Sequence, residues 1–434
     1  MSEAPHLRRT IGLWQMTFYG MGSMLGAGIY GLIGVAAGEM GSAVWLAFLV
    51  SLVAALLTGL SYASLGSRYP RAAGSAYVIQ RAYNHNLLTH VAGLAVAASG
   101  ITSMAAGARV IGVNLQRLSL FDGVPVTVLS ICFLALLAVI VYRGIRESMW
   151  VNVICTIVEA GGLLLVIAVG FSYWGSANLL ETPQGSGLGS LSFAMMMQGA
   201  ALTFYSFIGF EDTLNVAEEV KDAERVLPLG LVLAMVGTFL IYLCVAVTAV
   251  SVVPWRELAA SGTPLVEVMA RAAPWFPAWV FIVITIFSVA NTGLINYVTA
   301  SRLLYGMSRD KQLPRHLSIL HAERRTPHVA VLLILVILIA LALFGDIAPL
   351  ATATVLLLLA VFSVVNIALV ILKLRPGEPK GAFEIPIIVP ALGSVVCLAL
   401  LIARSLTGDW RAPVIAALFI VVAVPLYAGI RKRG

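Results

Sequence analysis

The sequence predicts an all-helical integral membrane protein, and three observations support this fold class. Of the 434 residues, 60% are hydrophobic and 11% are charged, whereas soluble domains carry about 25% charged residues. Apolar stretches of roughly 17–25 residues, long enough to cross a bilayer, recur along the chain. Two of these stretches are interrupted by glycine, the first at Gly22–Gly28 and the second at Phe207–Asp212.

Twelve apolar stretches divide the chain, and we interpret each as one transmembrane helix. They cover about 12–38, 43–66, 87–113, 124–142, 150–173, 192–216, 228–252, 277–304, 328–344, 347–372, 385–403 and 412–430. No segment between them is long enough for a separate soluble domain, so residues 1–434 are predicted to form one transmembrane domain. Helices 1 and 6 are predicted to be discontinuous. No small-residue cleavage site follows a short apolar region near residue 1, so the first stretch is expected to be a retained span.

The basic residues predict the orientation of the chain. If the N-terminus is cytoplasmic, 21 of the 27 lysine and arginine residues lie on the cytoplasmic side and 6 lie outside or in outer halves of spans. This excess follows the positive-inside rule and predicts a multi-pass protein of the cell membrane with both termini in the cytoplasm. The net charge of +7 therefore reflects topology in the lipid bilayer, and no nucleic-acid partner is expected.

Two of the predicted outer connections are long. Gly175 to Ser190 is rich in glycine and serine and is expected to form a flexible loop. Residues 253–276 mix apolar and charged residues at helical spacing. They are expected to form either a short helix lying across the outer surface or a plain interfacial loop.

The first glycine cluster, formed by Gly22, Gly26 and Gly28, is costly in a membrane helix. Each glycine costs about 1 kcal/mol relative to alanine, and an opened backbone in hydrocarbon costs several kcal/mol more. Unwinding would free backbone groups, and the half-helix from Ala27 onward would direct its positive end at an anionic group such as a carboxylate. Ser23 adds a hydroxyl group. The alternative is close helix packing through Gly22 and Gly26.

The second interrupted span strengthens the interpretation as a binding site, since paired glycine-broken segments indicate the substrate site of a transporter. Aromatic residues around this break are predicted to wall a pocket: Phe204, Tyr205, Phe207 and Phe210. Glu211 and Asp212 follow directly, and ionisable groups at membrane depth normally face a cavity or a partner. They are candidates for charge recognition or gating. The alternative places them in water at the cytoplasmic end of the span.

The positions of the two breaks, about 184 residues apart, predict an internal repeat. Each break opens a group of five spans, at about 11–173 and 192–373, and helices 11 and 12 at about 385–430 remain. An odd number of spans in each repeat requires the second copy to be inverted in the membrane.

Glu159 lies within an apolar span, with at least seven uncharged residues on each side. A carboxyl group there is expected to be desolvated, and desolvation favours the protonated form. This property suits proton coupling. The alternative is a protonated carboxyl group that only forms a hydrogen bond to a neighbouring helix.

No cofactor and no metal site is predicted from the remaining polar residues, histidines and cysteines. Ser288, Asn291, Thr292 and Asn296 are spaced to share roughly one helix face and are expected to line the site or to join helices. The six histidines lie in or beside loops without metal-ligand spacing. The four cysteines fall inside apolar spans and are expected to be small buried hydrophobic residues.

Several motifs, in their order and spacing, identify the chain as similar to the amino acid/polyamine/organocation (APC) transporter superfamily. The matching segments are Gly22-Ser23-Met24-Leu25-Gly26-Ala27-Gly28-Ile29-Tyr30, Ser61 to Leu65, Tyr69 to Gly74, Ile208-Gly209-Phe210-Glu211, Glu218 to Lys221, Ser301 to Tyr305 and Ser308 to Asp310. The resemblance covers nearly the whole chain.

This resemblance implies a LeuT-like fold of five plus five inverted spans with two extra C-terminal helices. It also implies secondary transport of amino acids or related amines. The substrate carboxylate would meet Ser23 and the backbone of Gly22–Gly28, and its ammonium would meet carbonyl groups there and at Phe207–Phe210. Glu159 resembles the position where some proton-coupled members carry a lysine and sodium-coupled relatives build an ion site. Because the sign of the charge is reversed here, Glu159 could instead face a cationic substrate.

The sequence therefore predicts a permease that carries amino acids or related small amines by alternating access and is coupled to protons, with sodium as the alternative coupling ion. The second hypothesis is an exchanger or facilitator of amino acids, polyamines or organic cations without proton coupling. A transporter-like sensor usually needs a sizeable signalling domain, and an enzyme needs a nucleophile–base pair or a metal cluster. Neither feature is visible, and the oligomeric state is open.

Overall fold

The computed structural model describes residues 11–69, 74–143, 149–309, 313–321, 326–407 and 410–431, and these residues are almost entirely helical. The first part of the chain contains α1 Leu13–Met24, α2 Ala27–Met40, α3 Val44–Arg68, α4 Gly74–Tyr83, α5 Asn86–Gln116, α6 Val126–Arg143, α7 Met149–Gly170 and α8 Phe193–Thr203. The second part contains α9 Ala223–Val252, α10 Trp255–Ala260, α11 Pro264–Ala272, α12 Ala278–Arg309, α13 His328–Phe344, α14 Ile347–Leu374, α15 Ile388–Thr407 and α16 Arg411–Arg431.

Within the described residues, eight segments are long and apolar enough to cross a membrane. They are Gly28–Arg68, Asn86–Gln116, Val153–Tyr173, Phe193–Leu214, Ala223–Val252, Ala278–Arg309, Ile347–Leu374 and Ile388–Leu406. Shorter apolar helices lie at Val126–Tyr142, His328–Phe344 and Arg411–Pro425. The chain is therefore a multi-pass membrane protein.

The helix bounds follow the predicted apolar stretches closely. The predicted stretch 328–344 coincides with α13, and Gly345 and Asp346 separate it from α14. Gly41 ends α2 with a φ of +66°, a conformation that glycine adopts without strain, and the chain turns there toward α3.

The two long connections contain more regular structure than the sequence required. The segment Gly175 to Ser190, expected to be a flexible loop, contains an antiparallel hairpin of β1 Glu181–Thr182 and β2 Gly185–Ser186. The indole N–H of Trp255 donates to the Glu181 carboxylate at 2.9 Å and ties this hairpin to α10. Residues 253–276 form the two short helices α10 and α11, so the helical alternative for this segment is confirmed.

Helix α5 lies at the centre of the bundle, where it packs against α6, α12 and α14. It is buried along most of its length, which places its polar residues in the interior. Helix α9 packs against α1, α3 and α7. These two helices bring side chains from both sides to the breaks that follow α1 and α8.

The cysteines are only partly as expected. Cys155 and Cys397 are buried, but Cys132 is exposed. It lies on the face of α6 that also exposes Val128 and Leu136. The prediction that all four cysteines are buried is therefore wrong for Cys132, because an apolar span also has an outward face, and Cys244 is only partly buried.

One end of the bundle, where α3 and α14 end, carries a network of ion pairs, and we call it the basic end. The Arg68 guanidinium donates to both carboxylate oxygens of Glu384, at 2.6 and 2.8 Å, and Lys373 pairs with the same carboxylate. Burial alone would raise the pKa of Glu384. The two cations and the N–H of Gly381 outweigh burial and lower this pKa to about 2.

Candidate substrate site

The first break separates α1 from α2 by two residues. Leu25 is extended, and Gly26 has a φ of +136°, which favours glycine over any residue with a side chain. A Cβ atom at Gly26 would also collide with the hydroxyl group of Thr292. The helix therefore continues through Gly22, Ser23 and Met24, and it opens at the centre of the predicted cluster.

The second break follows α8, which ends at Thr203. A 3-10 turn covers Phe204–Phe207, Ile208 is extended, and Gly209 has a φ of +121°. A second 3-10 segment, Phe210–Glu219, continues the chain toward α9. The second predicted broken segment is therefore an interruption of regular α-helix in the structure.

Glycines allow the two breaks to touch each other. A Cβ atom at Gly209 would collide with the backbone carbonyl of Ser23, and a Cβ atom at Gly28 would collide with Ser206. Any larger residue at these two positions would push the two segments apart. This contact explains why glycine is needed at these positions in both segments.

Two hydroxyl groups hold the free carbonyl groups of the breaks. The Tyr242 hydroxyl on α9 lies 2.6 Å from the carbonyl oxygen of Met24 and 3.1 Å from that of Ser206. It has one hydrogen to donate and two acceptors, so it bridges both breaks. The Thr292 hydroxyl donates to the carbonyl of Leu25 at 3.0 Å. The last carbonyl groups of a helix lack intrahelical partners, and these side chains replace them.

A cavity with about 430 Å³ of empty space, including its open mouth, lies between the two breaks, and we call it the central cavity. It is lined by Ser23, Met24, Leu25, Gly28, Ser103, Tyr205, Ile208, Gly209, Glu211, Asp212, Thr292, Ile295 and Asn296. Among the described residues, this lining contains two carboxyl groups and no lysine, arginine or histidine. The cavity therefore offers helix ends, hydroxyl groups and negative charge to a small ligand.

Seven of the predicted substrate or charge residues line this cavity, and they come from both breaks. They are Ser23, Met24, Gly28, Ile208, Gly209, Glu211 and Asp212. Gly22 lies within α1 and Gly26 lies in the first break, but neither lines the cavity, and Ala27 is the first residue of α2.

The predicted aromatic walls are placed differently from the expectation. Phe204, Phe207 and Phe210 are fully buried and pack in the core. Phe210 contacts Tyr62 and Phe362, and Phe207 contacts Tyr242. Of the four aromatic residues predicted to wall the pocket, only Tyr205 lines the cavity, together with Ile208 three residues further on.

Ser103 is a cavity residue that no sequence pattern singled out. Its hydroxyl lies 3.0 Å from the Tyr205 hydroxyl, and the Asn296 amide donates to it at 3.3 Å. The three residues connect α5, the second break and α12. Ser99 and Thr102 lie within one turn of Ser103 on α5, so spacing alone did not distinguish it. Tyr242 was missed because it lies within the long apolar helix α9.

Glu211 and Asp212 belong to the cavity wall. The Glu211 carboxylate accepts the backbone N–H of Gly209 at 2.9 Å, and both side chains are partly exposed to the cavity. Of the two expectations for these acids, the structure agrees with the cavity and not with a position beyond the span.

Glu159 lies on α7 and is not among the residues that line the central cavity. Its side chain is fully buried, and neither carboxylate oxygen forms a hydrogen bond of good geometry among the described residues. Ser288 and Asn291 of α12 are its polar neighbours, and each also has a buried polar atom without a partner. The Tyr30 hydroxyl donates to the backbone carbonyl of Glu159 at 3.0 Å.

The polar residues of α12 therefore form two adjacent stripes. Ser288 and Asn291 face Glu159, whereas Thr292 and Asn296 line the central cavity. In the part of the chain that the structure describes, no group of three His, Cys, Asp or Glu residues could hold a metal ion.

Two broken segments around one polar cavity, in a chain with several membrane-crossing helices, define a membrane transporter. Comparison with known proteins identifies the family: the chain belongs to the amino acid permease family, whose model matches residues 11–426. It is a transport protein and not an enzyme.

Three relatives illustrate the range of this similarity. The chain is 27% identical to the branched-chain amino acid permease BcaP of Bacillus subtilis, covering 91% of this chain and 88% of that protein. It is 26% identical to the methylthioribose transporter of the same organism, covering 92% and 88%. It is 28% identical to the vacuolar cationic amino acid transporter 4 of Arabidopsis thaliana, covering 87% and 65%.

Proposed function

We propose that this protein is a secondary active transporter that carries amino acids or related small amines across the cell membrane by alternating access. In this proposal the chain has twelve spans in a LeuT-like arrangement, with inverted repeats at about 11–173 and 192–373 and two extra helices at about 385–430. Both termini lie in the cytoplasm. The observation that carries the proposal is that two broken segments contact each other around one cavity. Carboxyl groups and free helix ends line this cavity.

The backbone at the breaks suits a zwitterionic substrate. The N–H groups at the start of α2, from Ala27 to Ile29, point a positive helix end into the first break and would hold a carboxylate. Ser23 and the neighbouring backbone from Gly22 to Gly28 would complete this half of the site. The carbonyl groups that end α1 and those of Phe207 to Phe210 would accept the substrate ammonium.

Glu159 is our candidate for proton coupling. A carboxyl group with no hydrogen bond at full burial is far more stable when protonated, because an isolated charge is costly there. Tyr30 links its backbone to α2, the outer half of the first broken helix. A change in the position of α2 would therefore alter the surroundings of Glu159 and allow the proton to leave. Sodium is the alternative coupling ion.

A second candidate function is exchange or facilitated movement of organic cations, without proton coupling. Glu211 and Asp212 favour it, because they place two carboxyl groups in a cavity whose lining holds no base. One relative is named as a cationic amino acid transporter. In this version Glu159 remains protonated throughout the cycle.

Uptake into proteoliposomes tests the proposal. A thermal-shift screen of purified protein against amino acids and polyamines first selects the ligands. Radiolabelled uptake of the best ligand is then measured with the lumen alkaline, with no pH gradient, and with a sodium gradient alone. We expect accumulation above equilibrium only with the pH gradient. Uptake that only equilibrates, together with competition by putrescine, would favour the second candidate. Binding without any flux would contradict transport.

A further inference from the structure

A side pocket opens from the central cavity between α5, α6 and α12. It is narrow, and its empty space of about 220 Å³ includes its open mouth. Beyond its mouth it is lined by Met104, Gly107, Ala108, Phe133, Val289 and Gly293. Ser103, Thr292 and Asn296 belong to the lining of both spaces, so they form the mouth of the side pocket.

The side pocket has a small and apolar interior. Its wall contains two glycines and one alanine, and no charged residue lies in its lining. All of its α5 and α12 residues beyond the mouth are buried, and Phe133 is partly buried. A polar group transferred here would lose its water without gaining a partner, whereas an apolar group would gain from burial.

A second branch leaves the central cavity toward the basic end. We call it the acidic branch, because Glu211 and Asp212 line it together with Val96 of α5 and Leu303 of α12, and its empty space of about 380 Å³ includes its open mouth. The α5 and α12 residues of this branch lie one to two turns closer to the start of α5 and the end of α12 than the mouth of the side pocket. This branch therefore has the position of a route to the basic end, whereas the side pocket ends against α6.

The side pocket and the acidic branch differ in what they offer to the side chain of the substrate. If the breaks hold the carboxylate and ammonium groups, the side chain of the substrate must enter one of these two branches. Glu211 in the acidic branch already accepts the N–H of Gly209 and so serves the shape of the second break. The side pocket has no carboxyl group in its lining that would serve the shape of a break in this way.

We propose that the side pocket is the subsite for the substrate's side chain, and that it selects a neutral amino acid with a short apolar side chain. The inference rests on the proposed function, since it requires the amino and carboxyl groups to lie at the breaks. Gly107 and Gly293 both line the pocket and leave it without side chains at these two positions. A Cβ atom at Gly293 would lie 3.3 Å from a methyl group of Leu137, which is not part of the pocket lining, so the test uses Gly107.

The test measures uptake of radiolabelled L-alanine and L-valine by proteoliposomes that contain the full-length protein. We expect wild-type uptake of alanine to be inhibited by excess valine and only weakly by arginine or putrescine. Gly107→Ala should raise the KM for valine about 10-fold relative to that for alanine, since one methylene is worth about 10–200-fold in an apolar pocket. Phe133→Ala should shift preference in the opposite direction, toward leucine.

Gly100→Ala is the matched control. Gly100 lies two turns earlier on α5 and lines the acidic branch, and a Cβ atom there would make only an ordinary contact, 3.8 Å from the carbonyl oxygen of Asn296. This variant should leave the ratio of the valine and alanine KM values unchanged.

The outcomes separate this inference from the proposed function. Two results would overturn the side pocket as the subsite while transport stands. One is uptake of arginine or putrescine in preference to alanine, and the other is an equal change in the KM ratio for Gly107→Ala and Gly100→Ala. If Gly107→Ala does not fold, Phe133→Ala decides, and an unchanged preference in that variant contradicts the inference. Binding of amino acids without flux would contradict the proposed function itself.

Discussion

Glu159 and Glu211 are two acids inside membrane-crossing helices, and the structure gives them opposite surroundings. Glu159 is sealed between α7 and α12 with neither carboxylate oxygen hydrogen-bonded among the described residues. Glu211 faces the central cavity and accepts the backbone N–H of Gly209 at 2.9 Å. Both are costly to place in a membrane, and the cost is offset in different ways.

This difference indicates different tasks for the two acids. The Glu211 carboxyl group accepts a backbone N–H and so holds the chain in shape. Glu159 forms no such hydrogen bond among the described residues, and a buried acid of this kind gains or loses a proton when its surroundings change. We therefore assign the shape of the second break to Glu211 and the proton to Glu159.

The largest expected effect separates the two tasks. Glu159→Gln keeps the size of the side chain and removes the exchangeable proton, so accumulation driven by a pH gradient should fall to the level of equilibration. Exchange of external for internal substrate should remain within about 3-fold of wild type. Both are measured as radiolabel uptake in proteoliposomes. Accumulation at the wild-type level by Glu159→Gln would contradict the assignment of the proton to Glu159.

At Glu211 we expect substitution by leucine to weaken substrate binding and substitution by glutamine to be tolerated. Glu211→Leu removes the acceptor of the Gly209 N–H and should weaken substrate binding about 10–100-fold, as expected for a hydrogen bond to a charged group worth about 1.5–3 kcal/mol. Glu211→Gln retains an amide oxygen and should restore most of the affinity. Ligand titration followed by thermal shift measures both. Equal loss in the two variants would favour a role for the charge itself.

Tyr242 allows the contact between the two breaks to be tested separately from both acids. Tyr242→Phe removes the hydroxyl that bridges Met24 and Ser206, and loss of one hydrogen bond worth about 0.5–1.5 kcal/mol should weaken binding about 2–12-fold. Tyr297→Phe is the control, because Tyr297 is also buried and donates to one carbonyl, that of Val331, outside the site. An equal change in KM for both variants would show only general loss of stability.

The smallest effect concerns Glu384, an acid outside the spans that has its partners in place. Its pKa is lowered from 4.5 to about 2, so its contribution to stability is present above pH 4.5 and is lost as the pH falls toward 2. Glu384→Gln should lower the Tm at pH 7 by about 2–4 °C, and the difference from wild type should shrink below pH 4.5.

Glu267→Gln provides the comparison for Glu384. Glu267 pairs with Arg117 at 3.7 Å, and both side chains are more than a third exposed, so its loss should change the Tm by less than about 1 °C, as for surface ion pairs. A Tm difference for Glu384→Gln that stays constant from pH 7 to pH 3 would contradict the assignment of its stabilising charge.

Some of the site could be predicted from the sequence because glycine reports backbone geometry directly. Gly26 and Gly209 both adopt positive φ, and the cost of glycine in a lipid-facing helix made them visible in advance. Glu159 was equally visible, since a lone acid in an apolar run is expensive wherever the helix packs. These features depend on local chemistry.

Other parts of the site depend on contacts between distant segments. Tyr242 meets Met24 across 218 residues of chain, and no local pattern indicates that contact. Ser288 and Thr292 share helical spacing, yet one faces Glu159 and the other the cavity, because α12 packs against different neighbours on adjacent stripes. Helical periodicity cannot separate residues that lie so close around the axis. The phenylalanines of the second break were placed in the cavity because a 3-10 turn was not foreseen there.

The most direct test of the central claim is the proton itself. A pH-sensitive dye trapped in proteoliposomes reports whether substrate added outside brings protons into the lumen. We expect substrate-dependent acidification with wild type, none with Glu159→Gln, and retained substrate exchange in that variant. Equal acidification by the wild type and Glu159→Gln would contradict the assignment of proton coupling to Glu159.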